Sequence, residues 1–428
     1  MAAAVQGLVT VRLSVMMFLQ FFLWGAWFVT LGPFLVARGQ NPEAIGNAYA
    51  TAPIGAILAP IFLGMVADRF FATQRVLGGL HILGGLLLLA APSLAPADQT
   101  ASAWPFIGIL LLHMLCYMPT LGLSNSLAFH NMTNPEKQFP PVRVLGTIGW
   151  IAAGFAVGFI AKQSTPEGAT GIAASPPHFF YVAGASGILL GLYSLTLPHT
   201  PPPAKGKPFS IGDALGFDAL AMLRDRNFAI FCLCSFLLCI PLAAYYAFGA
   251  AYVGLIGFNK EQVPITMSYG QMSEIVFMLI MPLMFGRLGV KWMLVVGMLA
   301  WVIRYGLFGA AWGGAGSDSA KWLVLGGILL HGICYDFFFV TGQIYVDKRC
   351  SPAIRGQAQG LLVLLTQGLG MLVGNLVFPR LVTHFTTKAD GLPDLVDWRM
   401  VWFVPAGFAA AVMVLFLLLF RPRPDAAA

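Results

Sequence analysis

Polar residues punctuate this chain; they do not alternate along it. Apolar runs of about 20 residues recur from end to end, each long enough to cross ~30 Å of hydrocarbon. The pattern predicts twelve helical spans, at about residues 13–37, 45–67, 75–95, 103–129, 143–162, 178–197, 227–256, 264–286, 291–312, 322–346, 356–383 and 399–420. A membrane barrel would need strict alternation over strands of ~10 residues, which these runs lack. The predicted fold class is an all-α polytopic membrane protein. The first run, Leu13 to Val36, is too long for the apolar core of a signal peptide and many spans follow it, so no cleavable leader is expected.

One long polar segment breaks the rhythm. It runs from Pro198 to Arg226, begins PHTPPPAKGKPF, and leaves six spans on either side. Proline-rich stretches of this kind act as semi-rigid spacers. The expected organisation is an N-terminal six-helix bundle at 1–197, a cytoplasmic linker at 198–226 and a C-terminal six-helix bundle at 227–428. The halves also share short strings. Span 4 contains LHMLCY at 112–117 and span 10 contains LHGICY at 330–335; spans 5 and 11 begin with PVR at 141–143 and PAIR at 352–355. These coincidences at equivalent places predict an internal repeat, as in many transporters.

The repeat isolates one residue. After the shared string, span 4 continues with Met118 and span 10 with Asp336, which has no lysine or arginine within ten positions on either side. A carboxylate at the centre of a bilayer costs about 2.5–3.5 kcal/mol on insertion scales and is a functional candidate by default. Glu274, near the middle of span 8, is a second acid well inside a span. Burial of a carboxylate in low dielectric favours its protonated form, so either acid can carry a coupled proton. The alternative for each is a polar lock between helices.

Composition agrees with the spans. Hydrophobic residues make up 58% of the 428 and charged residues only 10%, against about 25% charged in a soluble domain. The net charge of +7 is read as loop bias and not as a nucleic-acid footprint. With both ends inside, fifteen Lys and Arg fall in cytoplasmic loops and seven outside, which predicts cytoplasmic termini. The six cysteines (Cys116, Cys232, Cys234, Cys239, Cys334 and Cys350) lack metal-ligand spacing and read as small core residues. No nucleophile–base pair or metal cluster stands at usable spacing, so an enzyme is not expected, and a scaffold has no use for two buried acids. No cofactor is expected beyond a proton gradient, and a monomer suffices.

Other polar positions carry two readings. Gln20, Trp24 and Trp27 of span 1 share one helical face; an amide among aromatics can stack on and bond a planar base or a sugar, or the three can be a packing stripe. Asn125, Gln343, Gln367 and Asn375 suit interhelical glue. His113 and His331 are repeat-related, which argues for one shared structural role, with a proton relay as the alternative. Arg355 is expected to snorkel to the headgroups, and Arg143, at the predicted start of span 5, can do the same.

The loop after span 2 reads GMVADRF at 64–70, followed by Arg75, and its partner after span 8 reads GRLGVK at 286–291. With twelve spans and a central linker, this resembles the signature loop of the major facilitator superfamily. Five longer segments spread over both halves, FLQFFLWGAWFVTLGPFL (18–35), YMPTLGLSNSLAF (117–129), FPPVRVLGTIGW (139–150), QMSEIVFMLIMP (271–282) and DFFFVTGQIYVDKRCSPAIRGQAQG (336–360), resemble the bacterial nucleoside:proton symporters within it.

The resemblance implies the major facilitator fold of two six-helix bundles in the bacterial inner membrane, and import of a nucleoside with a proton by alternating access. Another small polar solute such as a sugar, by symport or antiport, is the alternative. It implies a pocket lined by Arg143, Thr147 and Trp150 of span 5, Gln271 and Glu274 of span 8, and Tyr335 and Asp336 of span 10, with Asp336 or Glu274 coupling the proton. Asp68, Arg69 and Arg75 are implied as the cytoplasmic gate. One departure stands in span 7. Where the family carries side-chain amides, this chain has Ala243 and Tyr246, which implies a different subset of nucleosides or a different solute, with Tyr246 as a pocket residue.

Overall fold

The computed structural model describes residues 2–62, 70–164, 177–202, 217–351, 354–388 and 395–421. Among them, ten stretches are long and apolar enough to cross a membrane. One of these, Gln262–Gly314, holds two spans, and His178–Ser194 is a shorter apolar helix, so twelve spans are present. The two spans within the long stretch part at Gly289, whose φ of 66° is a conformation that a residue with a Cβ rarely adopts.

Local chemistry sets the helix starts. Asp225 accepts a bond from the Phe228 amide at 2.9 Å ahead of span 7, Arg226–Leu255. Ser317 does the same for Ala320 at 3.2 Å ahead of span 10, and Asp397 for Arg399 and Met400 ahead of span 12, Trp398–Leu419. Each cap satisfies one or two of the four orphan amides of a helix start. Lys291 serves a helix end, donating to the Leu417 and Phe420 carbonyls at 3.1 and 2.8 Å.

Some boundaries differ from expectation. Span 5 is the helix Pro135–Ser164, which begins eight residues before Arg143. Proline suits the first helical position, and the polar first turns carry no apolar signal. Arg143 therefore stands two turns inside the helix and not at its start. Span 10 is not a uniform α-helix: Asp318–Leu329 and His331–Cys334 lead into a π-helical turn, Tyr335–Val340, before Thr341–Arg349. Span 11 likewise contains a π turn, Leu364–Gly370. A small antiparallel pair, Thr386–Thr387 with Leu395–Val396, precedes span 12.

The chain divides into two compact units, residues 1–211 with 259–268 and residues 212–258 with 269–428. The segment expected as a linker is partly structured. Thr200 is clipped to span 3 by two backbone-level bonds, Thr73 N–H to its carbonyl at 2.9 Å and its own N–H to the Gln74 side chain at 3.0 Å. Residues Phe217–Leu220 and Ala221–Arg224 are helical.

Close-approach glycines hold each unit together, and they fall at matching helix pairs. In the first unit, a Cβ on Gly149 of span 5 would collide with the Phe18 carbonyl oxygen of span 1, and one on Gly55 of span 2 would stand 2.8 Å from the Met114 carbonyl oxygen of span 4. In the second unit, Gly374 of span 11 meets the Ile240 carbonyl of span 7, and Gly332 of span 10 meets the Ser273 carbonyl of span 8. Small residues let helix backbones approach where lipid supplies no hydrophobic drive between helices. The close approaches recur between spans 1 and 5 and spans 7 and 11, and between spans 2 and 4 and spans 8 and 10, the pairs that the repeat in sequence would relate.

Candidate functional site

In the first unit, spans 1, 3, 4 and 5 converge on a polar thread wrapped in aromatics. Gln20 is fully buried; His81 Nε2 lies 2.8 Å from its Oε1, and its Nε2 donates to Thr120 Oγ1 at 2.7 Å. An amide oxygen only accepts, so His81 carries its proton at Nε2. Tyr117 closes the loop by donating to the Gln20 backbone carbonyl at 2.8 Å. Beside this thread, the half-buried Trp24 ring meets Trp150 and Tyr117, both at 5.4 Å between centroids. Gly25 makes room for Trp150, since a Cβ there would come within 3.0 Å of its ring. Arg143 lays its guanidinium over Phe21 at 4.2 Å, one turn from the half-buried Thr147.

Trp27 parts company with Trp24. It is fully buried and packs on His113 and Phe180 at 5.5 and 6.1 Å. Of the face expected on span 1, Trp24 joins the aromatic group of span 5, Gln20 is saturated inside the unit and Trp27 belongs to the core.

In the second unit, Gln271 and Glu274 of span 8 lie on one face beside His331 of span 10. His331 Nε2 is 3.4 Å from the Gln271 side-chain amide and 4.0 Å from Glu274 Oε2. Asp336 opens the π turn with Tyr335; it is fully buried, and neither carboxylate oxygen makes a hydrogen bond. Rare π turns often mark functional sites, because the widened turn re-aims a side chain. Tyr335 stacks beside His331 and Phe339 at 5.7 and 5.0 Å, and Tyr246 lies edge-on to Tyr245 at 5.8 Å.

The residue that sequence reasoning passed over is Arg304 of span 9. It is fully buried, its guanidinium sits 3.3 Å over the Tyr245 ring, and Nη1 lies 3.1 Å from His331 Nδ1. The signal was available, since an arginine within the apolar run LAWVIRYGLFG is as costly as a buried acid. His331 was likewise underrated. It does not share the bonding of its repeat mate, because His113 Nδ1 faces the Gly84 carbonyl at 2.9 Å.

Other expected residues sit apart. Arg355 pairs its Nε with Asp347 Oδ1 at 2.7 Å, the acid being one helix end away. Gln343 is exposed, whereas Asn375 is buried with Oδ1 unbonded. Ala243 is fully buried, and its Cβ lies 2.6 Å from where a Cβ on Gly374 would stand; the position is a helix contact with no room for an amide. Arg75 is exposed at the start of span 3, while Asp68 and Arg69 lie outside the described residues. All six cysteines are free, and no group of three metal-ligating side chains occurs among the described residues.

Comparison with known proteins places this arrangement. The chain is 42% identical over 413 residues to the Escherichia coli protein YegT, provisionally named a nucleoside transporter, covering 96% of this chain and 94% of YegT. It is 32% identical over 426 residues to the nucleoside permease NupG of Escherichia coli, covering 96% and 95%. A crystal structure of NupG in an aspartate-to-alanine mutant form superposes with a TM-score of 0.84 at 30% identity, over 96% of this chain and 100% of that one. The fold is the twelve-helix major facilitator fold. A family model described as "Nucleoside H+ symporter" matches residues 8–425, and the chain belongs to that family within the major facilitator superfamily.

Proposed function

We propose that this protein imports nucleosides together with protons across the bacterial cytoplasmic membrane by alternating access, with both termini in the cytoplasm. The observation that carries the reading is Asp336: a fully buried carboxylate without a hydrogen bond, set in a π turn, in a chain of the nucleoside H+ symporter family. An ionised carboxylate in that place is expensive. Taking up a proton relieves the cost and losing it restores it, which is what a coupling site needs.

The proposed substrate residues are Trp24, Arg143, Thr147 and Trp150 of the first unit, and Tyr246, Gln271, Glu274, Tyr335 and Asp336 of the second. Aromatic faces stack on a base; Arg143 and the amide of Gln271 donate to its carbonyls or to ribose oxygens. Gln20 supports this group from within. Asp336 or Glu274 carries the proton. Asp68, Arg69 and Arg75 form the proposed cytoplasmic gate, and the protein acts as a monomer without a cofactor.

A second reading is a different small polar solute, such as a sugar, on the same machinery. It rests on span 7, where Ala243 is spent on packing and Tyr246 stands where the resemblance implies an amide. Uptake of labelled uridine, adenosine and a panel of sugars into vesicles, with and without a protonophore, separates the two. Nucleoside uptake that collapses with the protonophore is expected. Sugar uptake alone would select the second reading, and uptake indifferent to the protonophore would remove proton symport.

A further inference from the structure

We infer that Arg304 and His331 are positioning residues that set the orientation of the Gln271 amide toward substrate. The inference rests on the proposal above for Gln271 as a substrate residue and for the ligand it meets.

The chemistry follows from which atoms own protons. A guanidinium has five N–H donors and no acceptor. Arg304 Nη1 is 3.1 Å from His331 Nδ1, so Nδ1 must offer its lone pair. His331 is then a neutral imidazole with its proton at Nε2. The repeat mate is fixed the opposite way. His113 Nδ1 faces the Gly84 carbonyl oxygen at 2.9 Å, which only accepts, so His113 carries its proton at Nδ1. The two LHxxCY strings thus hold opposite tautomers, and the difference arises from Arg304, which the first half does without: the position 218 residues earlier is Leu86.

Among the described residues, the Nε2 proton of His331 has one neighbour within bonding reach. The Gln271 side-chain amide lies 3.4 Å away, and Glu274 Oε2 lies at 4.0 Å, beyond a hydrogen bond. Two N–H groups cannot face each other, so the Gln271 oxygen turns to His331. That half-turn of the last torsion also satisfies Oε1, which otherwise is buried with no partner. The Gln271 NH2 then points away from His331, in the enclosed place that Oε1 otherwise holds. A site arranged like this selects a ligand edge that accepts, such as a base carbonyl or a ribose oxygen, and rejects one that donates. Arg304 itself is too deeply buried to meet substrate, and the Tyr245 face holds its charge in place.

The tautomer is read directly by 15N NMR of full-length, 15N-histidine-labelled protein in bilayers, with the His331 signals identified by their loss in His331→Gln. The expected result is a bare Nδ1 and a protonated Nε2 at His331, with the reverse at His113. A His331 protonated at Nδ1 overturns the inference. The functional arm is uridine counterflow. An amide at 331 reaching the ring's Nε2 place keeps the donor, whereas a shorter one does not; His331→Asn should therefore raise the half-saturating uridine concentration about tenfold with little change in maximal exchange rate, and His331→Gln should recover most of that loss. Equal losses in the two variants overturn it. Arg304→Met should give a mixture of tautomers at His331 and the same rise in half-saturation; an unchanged His331 spectrum in that variant also overturns it. No uridine exchange by the unaltered protein would sink the nucleoside reading alone, since the tautomer measurement stands without any ligand.

Discussion

Trp24 of span 1 and Trp150 of span 5 meet edge to face, with ring centroids 5.4 Å apart and planes inclined at 70°. Tyr117 of span 4 closes the group against Trp24. Such a pair contributes about 0.5–1.5 kcal/mol beyond its buried area, and the upper figure is close to a tenfold change in affinity. Trp150→Ala is expected to raise the half-saturating uridine concentration in counterflow about tenfold, and Trp150→Phe by less. An unchanged value in the alanine variant would assign the group to packing alone.

Asp336 and Glu274 are expected to separate under neutralisation. Asp336→Asn removes a buried charge that makes no hydrogen bond, so the variant should melt no lower than the unaltered protein. If Asp336 carries the proton, uridine counterflow persists in that variant while proton-driven accumulation disappears. Glu274→Gln is the companion measurement, and accumulation persisting in both variants rules out either acid as the carrier.

The glycine seam between spans 1 and 5 should be intolerant of a methyl group. A Cβ at Gly149 would overlap the Phe18 carbonyl oxygen, whereas one at Gly79 on span 3 would meet nothing within 4 Å. Backbone cannot yield as a side-chain end can, and overpacking of this kind costs about 1–3 kcal/mol. Gly149→Ala should lower the melting temperature in detergent, and Gly79→Ala should leave it level or raise it, because alanine is the better helix former.

The Asp347–Arg355 pair should matter little to stability. Its side chains are 44% and 54% exposed, and pairs of that kind contribute about 0–1 kcal/mol. Arg355→Ala is expected to shift stability by less than about 1 kcal/mol, and the shift should shrink in 1 M salt, where the Debye length falls to about 3 Å. A large, salt-insensitive loss would show that the pair is buried in another conformation.

The spans were legible because hydrocarbon thickness imposes a length that any apolar run must meet. The repeat was legible because LHxxCY survived in both halves. What escaped has a physical pattern. The start of span 5 escaped because its first turns, Pro135 onward, have no apolar periodicity to read. The π turns escaped because hydropathy does not register how tightly a helix is wound. The expected face of Gln20, Trp24 and Trp27 was a true helical face, but a span in a bundle buries most of its circumference; which arc meets substrate and which meets a neighbour is decided by packing. The pairing of Arg304 with His331 escaped because each gains its meaning from the other, across 27 residues and a helix change.

The π turn at Tyr335–Val340 also alters how the two halves are compared. An α turn takes 3.6 residues, and a turn closed by i→i+5 bonds takes about one more. Through this turn, side chains of span 10 therefore fall progressively behind those of span 4, by about 100° at its end; span 4 continues as regular α-helix through Met118. Asp336 stands near the start of the turn, so residue number and direction both still pair it with Met118; the two counts part beyond Val340. The acid has no carboxylate mate in the first half, where Met118 stands. Deleting one residue from this turn beyond Asp336 would therefore leave the acid close to its own direction and turn the helix that follows, Thr341–Arg349, about its axis.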